Sequence, residues 1–194
     1  MVYFIHIPRT GGTSIVSTIV NEKGIKVLYH NIKSPNFKLP SNICTDNDTA
    51  FAFVRNPYER LASSYFYLRN GGVNQEDKND ANIFELNRLN FNDFINKKLK
   101  LAAASQIHFL PQNHYLKNVP NLKVFKFENI DKDFKEFCEL VKIGYRPLPK
   151  KNSSIKNPLY VNAYTGANLD IINKVYETDF IEYDYSIKLA PVIS

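Results

Sequence analysis

Residues 3–14 read Tyr-Phe-Ile-His-Ile-Pro-Arg-Thr-Gly-Gly-Thr-Ser. An apolar run of strand length leads into a tight turn and then into the start of a helix. Gly11 and Gly12 let the backbone come close to a ligand, and consecutive amides at a helix start attract anions. Arg9 places a permanent positive charge on the same turn, and Thr10, Thr13 and Ser14 add hydroxyl donors. The chemistry these residue types support is the binding of a phosphate or a similar tetrahedral anion. The Walker pattern G-x-x-x-x-G-K-[ST] is not met, because neither glycine precedes Lys-[ST] and no glycine stands at the earlier position.

A second constellation follows the apolar run Phe51-Ala-Phe-Val54, which ends on Arg55. In nucleotide phosphotransferases a strand end of this kind carries an aspartate for magnesium. Arginine receives an anion there instead, so the two segments together predict two anion pockets and no metal site. In the helix that follows, Arg60, Ser63, Ser64 and Tyr67 share one face, beside an apolar stripe of Leu61, Tyr65 and Leu68. On its own, that polar face fits a surface helix with a salt bridge as well as a second phosphate pocket built with Arg55.

The elements that must position these residues follow from periodicity and punctuation. Strands are expected at Val2–Ile7, Lys26–Tyr29, Thr49–Val54 and Leu122–Phe127. Helices are expected at Thr13–Asn21, from Pro57 to about Asn70, at Phe91–Leu99, at Ile130–Val141 and at Leu169–Tyr176. Asn56, Pro57 and Glu59 form a capping-box start for the second of these, and Gly71-Gly72 ends it. Asn74–Asn82 is polar and reads as a mobile loop, and Ser34–Asn47, with two prolines, also reads as a loop. Alternating strands and helices predict an α/β fold: a P-loop-like three-layer arrangement with a mostly parallel central sheet flanked by helices. No repeat or linker interrupts the chain, so residues 1–194 are expected to form a single domain. Both anion-binding segments follow strands and belong on the C-terminal edge of that sheet.

Composition narrows the partners. The chain has 194 residues, with 44% hydrophobic and 23% charged, an ordinary globular balance. A net charge of +6 suits an anionic ligand but is mild for a dedicated nucleic-acid binder. No apolar run approaches the roughly 20 residues of a membrane span. Met1 leads almost directly into the first strand, so no signal peptide is expected. Cys44 and Cys138 are too few and too far apart for a disulfide framework or a zinc site. A soluble protein of a reducing compartment is expected.

Taken together, the two segments resemble the donor-binding motifs of sulfotransferases that use 3′-phosphoadenosine 5′-phosphosulfate (PAPS). Residues His6–Ser14 resemble the 5′-phosphosulfate loop, and Arg55–Ser64 the 3′-phosphate motif. Within that superfamily the sequence is most similar to the glycan, heparan-sulfate-type O-sulfotransferase branch, whose loop reads His-Ile-Pro-Lys-Thr-Gly-Gly-Thr-Ser. Gln112 in Leu110-Pro-Gln-Asn, Val124–Glu128, Asp131–Phe134 and Tyr176–Phe180 resemble later landmarks of that family. Phe127-Glu128 reads as a structural strand closure rather than part of the site. Arg9 stands where the family has lysine; it supplies the same charge with a different shape.

The resemblance implies a metal-independent transfer of a sulfuryl group from PAPS to an acceptor hydroxyl, on a carbohydrate in that branch. It implies that Arg9, Thr10, Gly11, Gly12, Thr13 and Ser14 hold the 5′-phosphate, with Arg9 also neutralising the leaving group. Arg55 and Ser63 would hold the 3′-phosphate, and the basic loop carrying Lys151 and Ser153 would close over the donor; that loop also fits a solvated charge cluster. His30 matches the family's catalytic base by its order in the chain, with His108 and His114 in reserve, while His6 reads as a packing residue. A tyrosyl peptide or a small alcohol remains open as acceptor. Two other readings stay open: a kinase-like P-loop phosphotransferase, and a non-catalytic binder of polyanions. Family members in eukaryotes often carry a membrane anchor; without an apolar span here, a cytoplasmic enzyme of bacterial or viral origin is expected, with neither a membrane span nor a specific nucleic-acid partner.

Overall fold

The computed structural model describes residues 1–29, 38–149 and 164–189. In chain order the elements are β1 (Val2–His6), α1 (Gly12–Ile19), β2 (Ile25–Tyr29), β3 (Thr49–Val54), α2 (Pro57–Arg69), α3 (Gln75–Ile83), α4 (Phe91–Lys97), α5 (Leu99–Ser105), α6 (Gln112–Leu116), β4 (Leu122–Lys126), α7 (Ile130–Val141), α8 (Gly166–Val175) and α9 (Glu177–Glu182). Short 3-10 turns occupy Pro40–Asn42 and Phe127–Asn129. No helix among the described residues is long and apolar enough to cross a membrane. The chain divides into two compact units, residues 1–55 with 112–153, and residues 56–111 with 154–194.

The first unit holds the sheet. Among the described residues, four strands lie in the order β2-β1-β3-β4, and every pairing is parallel. The expected parallel α/β architecture is therefore present. Phe4, Phe51, Phe53 and Phe125 project from one face and meet Ile15 and Ile19 of α1 and Phe134, Phe137 and Cys138 of α7. The rings interlock edge to face and in stacks, as between Phe51 and Phe137 at 5.1 Å and Phe53 and Phe125 at 5.2 Å. Residues of the opposite parity, Ile5, Ala50, Ala52 and Val54, are equally buried. Burial on both faces explains why the central strands β1 and β3 are near-continuous apolar runs instead of alternating ones.

The second unit is helical in all its described elements. Its core gathers Leu61, Tyr65 and Leu68 of α2, Phe94 of α4, Phe109, and Ile172, Tyr176 and Phe180 from the C-terminal helices. The Asn56 side chain accepts the Tyr58 amide at 3.0 Å and caps α2, with Pro57 at its first position. Gly71 and Gly72, both at positive φ, return amides to the carbonyls of Leu68 and Tyr67 and end it.

One expectation needs correction. Residues 74–82, read as a mobile loop, hold α3, capped by Asn74, whose side chain accepts the Asp77 amide at 2.8 Å. Its inward residues include Asp77 and Asp80, which are buried. Apolar periodicity cannot reveal a helix whose buried face is acidic.

Candidate active site

The chain leaves β1 to build β2 on one side, then returns to build β3 on the other side of β1. The C-terminal ends of β1 and β3 therefore flank a topological switch point, where open parallel sheets bind ligands. Register pairs Ile5 with Ala52, one residue before His6 ends β1 and two before Val54 ends β3. The Ile7–Gly11 turn grows from the first strand and Arg55 from the second.

The turn is built on backbone conformations that side chains resist. Arg9 has φ 70° and Gly11 φ 82°, both left-handed. A Cβ at Gly11 would lie 2.6 Å from Ile130 Cδ1 and 3.0 Å from the Phe127 ring. A Cβ at Gly12 would lie 2.0 Å from His6 Cδ2. Both glycines are thus demanded by the protein packed against the loop, in addition to any ligand on its outer side. Thr10 is buried, and its hydroxyl donates to the Ile7 carbonyl at 3.0 Å. Expected as an anion donor, that hydroxyl instead closes the turn. The Ser14 and Ile15 amides both return to the Gly11 carbonyl. Gly11, the N-cap of α1, makes no side-chain capping bond, and the first amides of a helix left uncapped by side chains attract anions. Thr13 is exposed and Ser14 is buried at the edge of the core.

Arg55 meets this turn directly. Its Nη1 donates to the Arg9 carbonyl at 3.4 Å, and its guanidinium lies over the Phe127 ring, 4.5 Å from the centroid. The Arg55 amide donates to Gln112 Oε1 at 2.8 Å, and Gln112 Nε2 donates to the Arg55 carbonyl at 2.9 Å. The turn that carries Phe127 is pinned where the Lys126 amide donates to Asp133 Oδ2 at 2.9 Å. Sequence reasoning treated Gln112 as a landmark and Phe127 as a strand closure; both contact the candidate arginine. Gln112 stands 57 residues from its partner, and only topology reveals that link.

The histidines separate clearly. Burial pushes the His6 imidazole down to about 4, and its ring lies against Tyr29 and beneath Gly12, as a packing residue should. Burial also lowers His114, whose ring stands edge-on to Tyr115 at 5.6 Å. His108 belongs to the second unit and is 7% exposed. Its Nδ1 is 3.3 Å from Gln106 Nε2 and its Nε2 is 4.0 Å from Asp77 Oδ1. Tyr67 donates to Asp77 Oδ2 at 2.7 Å and Gln106 to Asp80 at 2.5 Å, so His108 is one member of a buried polar network.

The polar face of α2 is likewise buried and not a surface. Arg60 is 2% exposed and donates Nη1 to the Leu110 carbonyl at 2.9 Å; Ser64 donates to the His108 carbonyl at 2.7 Å. Ser63 is buried on the same helix. The structure thus brings Arg9, Gly11, Gly12 and Arg55 together in the first unit, while Ser63 belongs to the second. His30, Lys151 and Ser153 lie outside the described residues. Among the described residues, no group of three or more His, Cys, Asp or Glu side chains is placed to hold a metal ion.

The model of the sulfotransferase family matches residues 2–186. Among solved structures, the chain is similar to the mouse sulfotransferase SULT7A1 complexed with PAP, at 12% identity and a TM-score of 0.54. That match covers 94% of this chain and 85% of the mouse protein chain, and at such identity it speaks for the fold alone. No curated protein matches the chain.

Proposed function

Because the chain belongs to the sulfotransferase family, we propose that the Arg9–Ser14 turn and Arg55 hold the two anionic ends of PAPS, and that the acceptor is a carbohydrate hydroxyl. The activity we assign is PAPS-dependent sulfuryl transfer, which membership of the sulfotransferase family supports. The observation that carries the site assignment is the meeting of Arg55 Nη1 with the Arg9 carbonyl at the sheet's switch point. It puts the Arg55 guanidinium against the turn that carries Arg9 and leads into α1, whose N-cap has no side-chain bond. A donor with anions on both sides of its ribose needs such a pair.

PAPS, when bound, supplies the sulfuryl group. The chain's own residues then have distinct tasks. The Gly12 and Thr13 amides and the Thr13 hydroxyl orient the 5′-phosphate, and the Arg9 guanidinium neutralises the charge that grows there as the group departs. Ser14 joins them from the helix side. Arg55 fixes the 3′-phosphate; Ser63, Lys151 and Ser153 are further donor contacts that the likeness to the family motifs suggests. His30 accepts the proton of the acceptor hydroxyl. Support for His30 is its place directly after β2, whose last residue Tyr29 is in register with His6 at the foot of the anion turn. His6 is packed beneath Gly12 and kept neutral by burial, which suits a wedge rather than a base.

The carbohydrate acceptor is supported by the likeness of His6–Ser14 to the loop of glycan O-sulfotransferases. The family match runs through both compact units, which favours reading residues 1–194 as one functional module. The phosphotransferase reading has no comparable support, since β3 is followed directly by Arg55 where a metal-binding aspartate is needed. The proposal is tested by incubating the protein with sulfur-labelled PAPS and, separately, glycans, a tyrosyl peptide and simple alcohols. Label transferred to glycans, and abolished by His30→Ala, is the expected result. Label on the peptide or alcohols alone removes the carbohydrate assignment, and unchanged turnover in His30→Ala removes the base.

A further inference from the structure

The ladder that holds β3 stops one residue short of the functional arginine. Val54 pairs with Lys126 of β4, and on the other side β1 pairs only as far as Ala52. Arg55 is the first residue past the sheet, and its amide and carbonyl must find partners elsewhere. Gln112 supplies both, at 2.8 and 2.9 Å. A primary amide carries the same donor and acceptor as a peptide unit, so this side chain acts as one residue of an additional strand. Gln112 is fully buried, and Tyr115 and Leu116, buried on the same helix, anchor it.

The guanidinium is fixed independently of the backbone, by the face of Phe127 and by the Arg9 carbonyl. An arginine side chain has many rotamers, and these contacts select one only if its Cα is already in place. We propose that Gln112 is a positioning residue for donor binding: by clamping the Arg55 backbone it sets where the guanidinium stands relative to the Arg9–Gly12 turn. The proposal rests on the reading of Arg55 as a phosphate ligand. The chemistry of the clamp is specific to glutamine. Glutamate would accept from the Arg55 amide but oppose its carbonyl with an anion. Methionine would fill the volume with neither bond, and asparagine is one methylene short.

A double-mutant cycle tests this, with Gln112→Met, Arg55→Ala and both together, read by calorimetric affinity for 3′,5′-ADP and for ADP. Gln112→Met is expected to weaken 3′,5′-ADP by roughly tenfold, to raise the PAPS KM by a similar factor and to leave kcat within about threefold. In the Arg55→Ala background the same change is expected to alter 3′,5′-ADP affinity by less than about twofold, because the residue through which it acts is gone. Equal losses in the two backgrounds, or unchanged affinity in folded Gln112→Met, overturn the proposal. Should Gln112→Met fail to fold, Gln112→Glu, which keeps the volume and one bond, goes through the same cycle; loss of folding in both also overturns it, in favour of a purely structural glutamine. Failure of the underlying reading looks different: the wild-type chain would bind 3′,5′-ADP no better than ADP, and Arg55→Ala would change neither.

Discussion

The His6 imidazole occupies the space that any side chain on residue 12 would need: a Cβ there would stand 2.0 Å from His6 Cδ2. Gly11 is constrained in the same way from the other flank, by Phe127 and Ile130, and also has φ 82°. The turn is therefore packed against the protein at both glycines.

Alanine substitutions separate conformational strain from collision. Gly24 also has positive φ, at 91°, but open space where its Cβ would lie. Gly24→Ala should cost about 1 kcal/mol, from backbone strain alone. Gly11→Ala adds overpacking and should cost about 2–4 kcal/mol, with loss of donor binding in the fraction that folds. Chemical denaturation of the two variants beside wild type checks the order; equal losses would show that Phe127 and Ile130 yield to the new atom.

Stability should carry a signature of His6 in its dependence on pH. Burial pushes this imidazole down from 6.5 to about 4, so the fold favours the neutral ring. Between those values the unfolded chain binds more protons than the folded one, and stability rises with pH. The contribution is complete above about pH 6.5 and is lost as pH falls towards 4. His6→Gln should flatten the thermal-midpoint profile within that window. A profile parallel to wild type would assign the acid sensitivity to other groups.

Arg55→Lys keeps the charge but removes the planar fork that lies on Phe127 and reaches the Arg9 carbonyl. Affinity for 3′,5′-ADP should fall by about tenfold, and by about a hundredfold in Arg55→Ala. Titration of both variants measures the split; full retention in the lysine variant would mean that charge without geometry suffices.

Much of this site was legible because its parts are local. The apolar run into Pro8-Arg9-Thr10-Gly11-Gly12 specifies strand, turn and helix within a dozen residues, and Asn56-Pro57 announces α2 just as locally. The partners of the polar residues were not legible. Ser64 and Arg60 meet carbonyls 44 and 50 residues away, and so a helix face that reads as solvated is buried. Asp77 and Asp80 hide α3 because their burial depends on Tyr67 and Gln106. Thr10 looks like a ligand donor by type, yet its hydroxyl is bound to Ile7 within the turn.

The buried network around α3 should matter for folding. Asp77 Oδ2 accepts both the Tyr67 hydroxyl and the Val73 amide, at 2.7 and 2.9 Å. Asp77→Ala strands those donors and should cost about 2–4 kcal/mol. Denaturant unfolding measures it; a loss below about 0.5 kcal/mol, the range of ordinary surface changes, would contradict the account.

The central claim is that the turn at Arg9–Ser14 and Arg55 form paired pockets for a donor with phosphate on both sides of its ribose. Calorimetric titration of the wild-type chain with 3′,5′-ADP beside ADP tests it most directly. The account predicts that 3′,5′-ADP binds at least about tenfold more tightly, the gain expected from one well-held phosphate. Equal affinity for the two nucleotides would contradict it.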